Sequence, residues 1–125
     1  MKEMDFIGLP KERKTPEACL ALVENNGSAI RCIPWNRLTP KIWLAAVKKD
    51  GEALYWMDLG FLGMGPFTES DLAEIYLTAV QQWSLALMYV PQEKQTREMC
   101  LTALSQDISV ERYSRYSLLE LLYGE

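Results

Sequence analysis

Thr15-Pro16-Glu17-Ala18-Cys19-Leu20 is followed 24 residues later by a similar stretch, Thr39-Pro40-Lys41-Ile42-Trp43-Leu44. In both stretches the threonine can cap the start of a helix, and the proline after it suits the first helical turn. The apolar residues that follow are spaced i, i+1 and i+4, which is typical of one buried stripe on a helix. The pattern predicts helices that begin at Thr15 and Thr39, each about three turns long.

Two more copies of this stretch follow, with starts at Leu72 and Thr96. The third copy has no Thr-Pro, so its helix must be capped by Thr68, Ser70 or Asp71. The third copy also starts later than a constant spacing would place it, and we assign about nine extra residues to an insertion before it. A unit this short cannot bury its apolar stripe alone, so neighbouring copies are expected to stack.

Each copy is predicted to continue into a second, shorter helix. Gly27 and Gly51 stand between the two helices of their copies, where a left-handed C-cap favours glycine. The fourth copy has Ile108 at that step and continues into an amphipathic run suited to a terminal capping helix. The apolar positions of the second helices are Ala29, Ile30 and Ile33 before Pro34, and Ala86, Leu87 and Val90 before Pro91. Those of the terminal run are Val110, Tyr113, Leu118, Leu119, Leu121 and Leu122.

These patterns predict one all-α domain of four stacked helix-turn-helix repeats with a C-terminal capping helix. The chain has 125 residues, 49% of them hydrophobic, which is enough for one core. The predicted parts of this single domain are repeats at about 15–38, 39–57, 72–95 and 96–123, an insertion at 58–71 and an N-terminal arm at 1–14.

The first copy resembles a bacterial helical-repeat family. Thr15 to Val23 reads T-P-E-A-C-L-A-L-V, and Asn26-Gly27, Ala29-Ile30 and Ile33-Pro34 follow. The family consensus is T-P-E-x-C-L-x-A-V, then N-G, A-L and V-P, in units of about 24 residues. The resemblance covers residues 15–107 and is weakest in the fourth copy. The family has no assigned activity, so the resemblance implies a helical-repeat fold and carries over no catalytic residue.

Composition disfavours several functional classes. Thirteen Lys and Arg against 17 Asp and Glu give a net charge of −4, without the excess of cations that a phosphate backbone attracts. The chain has no histidine, the commonest general base and metal ligand. We therefore predict no nucleic-acid partner, no catalytic residue, no metal ligand and no cofactor.

Cysteine usage and hydropathy bear on the compartment. Cys19, Cys32 and Cys100 are odd in number and have no C-x-x-C spacing, so reduced thiols are predicted. Cys19 and Cys100 share a repeat step with Trp43 and Tyr76, and Cys32 shares one with Trp56 and Tyr89, so core or half-buried positions are predicted for all three. No apolar run is long enough to span a membrane, and Lys2 and Asp5 interrupt the region where a signal peptide would be apolar. The chain is expected in the cytoplasm, or to leave it by a route that uses no cleaved signal.

Two kinds of residue could still carry chemistry. Gly60, Gly63 and Gly65 form a glycine-rich run, but the Lys and Ser/Thr of a phosphate-binding loop do not follow it. Acidic residues occur at predicted caps and turns, where a solvated or capping role is usual, and these are Glu17, Glu24, Asp50, Glu52, Asp71 and Glu74. They leave open an alternative function as a small-ligand-binding or carboxylate-based enzyme domain.

Apolar residues outside the repeat pattern are the candidates for binding a partner. Phe61, Leu62, Met64 and Phe67 lie in the insertion, where loops commonly carry binding function, although they could instead fill the junction between the repeat pairs. Two further candidates are Trp35 and Trp83, which could instead pack at helix ends.

The interpretation is a non-enzymatic module that binds another protein. An immunity protein or other inhibitor in a basic toxin site, an adaptor and an effector are examples that suit an acidic repeat protein of bacterial type. A self-associating structural array is a third possibility, after the ligand-binding or enzymatic alternative.

Overall fold

The computed structural model describes residues 2–34, 37–56 and 67–123, and over these residues the fold is all-α, with no strand. The α-helices are α1 (Glu3–Ile7), α2 (Pro16–Asn25), α3 (Pro40–Lys49), α4 (Leu54–Trp56), α5 (Glu69–Gln82), α6 (Arg97–Gln106) and α7 (Leu118–Tyr123). The 3₁₀ helices are Lys11–Arg13, Gly27–Cys32, Gly51–Ala53, Ser84–Tyr89, Gln92–Lys94 and Ile108–Tyr113. No helix in this part of the chain is long and apolar enough to cross a membrane.

Threonine hydroxyls cap the N-termini of the four long helices, α2, α3, α5 and α6. The Oγ1 atoms of Thr15, Thr39, Thr68 and Thr96 each accept a hydrogen bond from the backbone N–H three residues later, at 3.2, 3.2, 3.0 and 3.2 Å. The Asp71 carboxylate accepts in return from the Thr68 N–H at 3.1 Å, which completes a capping box. The predicted starts at Thr15 and Thr39 are confirmed, and Thr68 is the cap among the three candidates. Helix α5 thus begins inside the segment predicted as an insertion.

Each long helix ends on one extended residue, after which the chain turns back as a short helix. These residues are Asn26, Asp50, Trp83 and Asp107, and their φ values lie between −153 and −156°. Three of them cap the next helix, because the side chains of Asn26, Asp50 and Asp107 accept from the N–H two residues later. We call the short helices the return segments; they are Gly27–Cys32, Gly51–Trp56 (which includes α4), Ser84–Tyr89 and Ile108–Tyr113. The second helices are therefore confirmed in position, but most of their turns are 3₁₀.

The prediction that Gly27 and Gly51 are left-handed C-caps is wrong. The helices already end on Asn26 and Asp50, and neither glycine has a left-handed φ. Both glycines are buried against the end of the following long helix. A Cβ on Gly51 would lie 2.6 Å from the Ala79 carbonyl oxygen of α5, and a Cβ on Gly27 would collide with a backbone carbonyl of α3. Glycine is needed because two backbones approach closely.

Two layers enclose the core. Helices α2, α3, α5 and α6 pack side by side in chain order, and the return segments pack beside them in a second layer. The side chains at one repeat step are all buried in the core: Cys19, Trp43, Tyr76 and Cys100 are at most 2% exposed. The core position predicted for these cysteines is confirmed.

Gln95 is a buried polar residue, 3% exposed, that immediately precedes Thr96, the N-cap of α6. Its Nε2 lies within hydrogen-bond distance of three carbonyl oxygens, those of Leu87 (3.4 Å), Val90 (3.1 Å) and Tyr113 (2.9 Å). Its Oε1 accepts from the Arg115 N–H at 2.6 Å and from a thiol of α6. One amide thereby ties the third return segment to the chain that follows the fourth.

The ends of the chain differ in how well they are packed. At the N-terminus, α1 buries Phe6 completely. At the C-terminus, α7 occupies part of the predicted capping run but has no fully buried residue. Leu121 is half-buried, and the Arg97 guanidinium donates to the carbonyls of Glu120 and Leu121 at 3.2 and 3.3 Å. Leu119 is 69% exposed.

The three thiols should differ in reactivity. Cys19 and Cys100 are buried and Cys32 is half-buried, and none forms a disulfide. Burial raises the pKa of the Cys19 thiol, an effect that outweighs the opposing positive charges of Arg37 and Lys14. We expect a maleimide to modify Cys32 in the folded protein and Cys19 only after unfolding, because the thiolate is the reactive form. Peptide mass spectrometry after timed labelling checks this, and early modification of Cys19 would contradict it.

Candidate functional site

The structure describes two of the six residues predicted to bind a partner. Trp35, Phe61, Leu62 and Met64 lie outside the described residues. The two described residues, Phe67 and Trp83, are half-buried and pack against the hydrophobic core. Trp83 is also the extended residue that ends α5.

Trp83 contacts a row of aromatic side chains on the return segments. Its ring centroid is 6.2 Å from that of Tyr89, which lies 5.5 Å from Tyr55. Tyr55 in turn makes an edge-to-face contact with Trp56 at 5.2 Å, and the Arg31 guanidinium lies 5.9 Å from the Trp56 ring. We call these five residues the aromatic stripe. It crosses the first three return segments and brings together residues that are far apart in sequence.

Two neighbouring repeat steps supply every residue of the aromatic stripe except Trp83. The residues of the inner step are half-buried and mainly aromatic, and those of the outer step are exposed. The inner step consists of Cys32, Trp56, Tyr89 and Tyr113, and the outer step of Arg31, Tyr55, Met88 and Arg112. The Arg112 guanidinium covers Tyr113 at 5.6 Å, as Arg31 covers Trp56. The first and the last return segments therefore each supply a cation that stands over an aromatic ring, which is Trp56 of the second segment for Arg31 and Tyr113 of the same segment for Arg112.

Sequence reasoning identified only part of the aromatic stripe. It placed Trp56 and Tyr89 at a shared core or half-buried step and singled out Trp83, but it made no prediction for Tyr55 or Arg31. The sequence did contain a signal for Tyr55 and Arg31, because the residues of the outer step recur at the same spacing as those of the inner step. That signal shows only when the steps are compared across all four copies.

The aromatic stripe has the composition of a protein-binding surface. Trp, Tyr, Met and Arg are enriched at the centres of protein interfaces, where they supply much of the binding energy. Tyr55 is 38% exposed, and Met88, which shares the outer step with Tyr55 but is not itself part of the stripe, is 37% exposed, so both offer contact area to a partner. Because Tyr55 already packs edge to face against both Trp56 and Tyr89, less side-chain freedom is lost when a partner binds.

The acidic residues considered as catalytic candidates are either helix caps or exposed on the surface. Asp50 caps a return segment and accepts a hydrogen bond from the Ser28 hydroxyl at 3.1 Å, while Asp71 belongs to the α5 capping box. The four glutamates, Glu17, Glu24, Glu52 and Glu74, are exposed. Within 2–34, 37–56 and 67–123, no group of three or more His, Cys, Asp or Glu side chains is placed to hold a metal ion.

Comparisons of the chain with protein-family models, with curated proteins and with solved structures found no match. Function must therefore be inferred from the side chains that the fold presents. The aromatic stripe is the surface whose composition points most directly to a partner.

Proposed function

We propose that this protein is a non-enzymatic interaction module that binds another protein through the aromatic stripe. The observation that carries the proposal is the continuous row of ring contacts from Trp83 to Trp56, flanked by Arg31. Such a row offers a partner a preordered apolar surface with a guanidinium group beside it.

The proposal includes a stacked array of four repeats of the bacterial T-P-E family, with α7 at its C-terminal end. Its support is the recurrence of one local geometry. Each long helix starts at a threonine cap and ends on an extended residue with ψ between 105 and 108°. Stacked arrays bind partners on extended surfaces because equivalent positions line up from one unit to the next.

The chemistry of the aromatic stripe defines what the partner must offer. Its rings require an apolar patch, and Arg112, which shares the outer repeat step with Tyr55, would meet a carboxylate or carbonyl oxygen at the patch edge. An inhibitor, an adaptor and an effector would each need such a surface. We infer that the protein acts in a reducing compartment such as the cytoplasm, because none of its three cysteines forms a disulfide.

Site-specific photo-crosslinking tests this proposal. A photoreactive amino acid placed at Tyr55 or at Met88 is expected to give the same crosslinked partner in extracts of the source cell. The matched control is the exposed Glu98, which lies on α6 in the other layer and should not give that product. Equal yields of that product at all three positions, or no product at Tyr55 and Met88, would contradict the proposal.

With the partner identified, Tyr55→Ala is expected to weaken binding about thirtyfold, or ~2 kcal/mol, as at a central aromatic residue of an interface. Arg112→Ala, at the edge, should have a smaller effect that shrinks as salt is added. Titration calorimetry measures both changes. Circular dichroism verifies that each variant is folded.

A further inference from the structure

The layer of long helices carries a groove that the proposed function does not use. It lies between α2 and α3, has a volume of about 500 Å³, and is open to solvent. Its apolar floor consists of Leu20, Leu44 and Ala45, all half-buried. A smaller hollow of about 120 Å³, which shares Leu20 and Lys41 with it, continues along the same two helices. We call the larger cavity the α2–α3 groove.

The charges around the α2–α3 groove are mainly positive. Lys41, Lys48 and Lys49 line it from α3, against Glu24 from α2 and Glu17 in the adjoining hollow. Among the described residues, none of the three lysines forms an ion pair. The chain as a whole has a net charge of −4, so these three lysines form a local positive cluster on a protein that is negative overall.

Lys41 is the lysine that helix stability does not explain. Lys48 and Lys49 lie in the last turn of α3, where the helix dipole favours a cation. Lys41 lies in the first turn, where the dipole disfavours one, and the first turns of α2 and α6 carry Glu17 and Glu98 instead. Residues that break a local rule without a local benefit are expected at functional sites.

We propose that the α2–α3 groove binds an acidic amphipathic helix of a partner protein. The apolar stripe of such a helix would lie on Leu20 and Leu44, and its carboxylates would meet the lysines of α3. Helix α3 has 10 residues, so the groove accommodates about three turns, or ~15 Å, of the partner helix. The α2–α3 groove and the aromatic stripe are in different layers, so this inference does not depend on the proposed function.

A designed peptide tests the inference directly. The probe is a fluorescent peptide of about 20 residues with leucines at i, i+3, i+4 and i+7 and glutamates beside them. Fluorescence anisotropy should show binding to the wild-type protein that weakens as salt is added. Lys41→Glu and Lys48→Glu should each lower the affinity about tenfold. Arg13→Glu, the matched reversal of an exposed charge outside the groove, should leave the affinity unchanged.

The unfolding temperature of Lys41→Glu shows whether a loss of binding is due to a folding defect. An acidic residue in the first turn suits the helix dipole, so this variant should unfold at a slightly higher temperature while it loses affinity for the peptide. A lower unfolding temperature together with lost binding would mean that Lys41→Glu disturbs the fold. In that case Lys48→Glu, which is exposed near the other end of α3, decides the question, and unchanged peptide affinity of that variant would overturn the proposal.

Three further outcomes would overturn the inference. Equal binding of a scrambled peptide of the same composition would mean that the amphipathic stripe is not recognised. Tyr55→Ala could weaken peptide binding as much as Lys41→Glu, which would place the peptide on the aromatic stripe. Finally, phosphatidylserine vesicles could bind in a Lys41-dependent way while the peptide does not, which would make the groove a lipid-binding surface.

Discussion

Gly27→Ala is expected to lower the free energy of unfolding by about 3 kcal/mol, at the upper end of the usual cost of overpacking. A Cβ on Gly27 would collide with the Ala46 carbonyl oxygen and lie 3.0 Å from the Asp50 Cβ. The clash is with helical backbone, which cannot turn aside as a flexible side chain could. Urea denaturation followed by circular dichroism measures the loss.

The same repeat step supplies two comparisons for this prediction. Gly51→Ala meets the Ala79 carbonyl oxygen at 2.6 Å and the Trp83 Cβ at 2.9 Å, so we expect about 2 kcal/mol of destabilisation. Ser84 stands at this step in the third copy and already has a Cβ, so Ser84→Ala should cost no more than about 0.5 kcal/mol. If Gly27→Ala and Ser84→Ala unfold at the same urea concentration, the close approach at Gly27 does not hold in solution.

Gln95→Leu is expected to destabilise the protein by about 3 kcal/mol. Leucine has a similar volume but removes every hydrogen bond of the amide. The carbonyls of Val90 and Tyr113 and the N–H of Arg115 lose a partner in a buried or half-buried region. Each such group costs about 1–3 kcal/mol when it is left unpaired, and partial access to water reduces the sum.

Gln95→Glu adds a pH dependence to this test. At neutral pH the new carboxylate would face the carbonyl oxygens that now accept from Nε2, so its charged form is disfavoured in the folded state and its pKa there is raised. The variant should therefore be least destabilised below about pH 4, where the carboxyl is protonated in both states, and lose stability as the pH rises.

Gln106→Glu is the control for Gln95→Glu. The Gln106 Nε2 also donates to a backbone carbonyl, that of Gln81 at 3.2 Å, but the side chain is exposed and water can replace the bond. Its stability should change by no more than about 0.5 kcal/mol and should show little of this pH dependence. Similar losses for the two glutamine variants would show that burial of Gln95 is not what makes its network strong.

The local features of the fold could be predicted from the sequence because they depend on residues close together in the chain. A threonine cap needs only the backbone N–H three residues later, so the helix starts at Thr15 and Thr39 could be predicted from the sequence around them. Periodicity likewise predicted the buried step that contains Cys19 and Cys100. The third helix start was ambiguous because Thr68, Ser70 and Asp71 are all capable of capping, and the reciprocal Thr68–Asp71 bonds resolve it.

The candidate sites were less predictable, because they join residues from different units. The contact between Tyr55 and Tyr89 depends on how two return segments pack. The α2–α3 groove similarly needs Leu20 and Leu44 on neighbouring helices. Repeat spacing indicates which steps align, but not which of them face solvent.

The sequence by itself determined the all-α class, the four helix starts to within a few residues and the repeat steps that fill the core, because capping and periodicity act within one or two turns. Only the tertiary structure decided the roles of Gly27 and Gln95. Both residues contact backbone groups of other elements. Gly27 packs closely against a carbonyl of α3, and Gln95 donates a hydrogen bond to the carbonyl of Tyr113. Steric contact and hydrogen bonding across such distances in sequence exist only once the layers have packed.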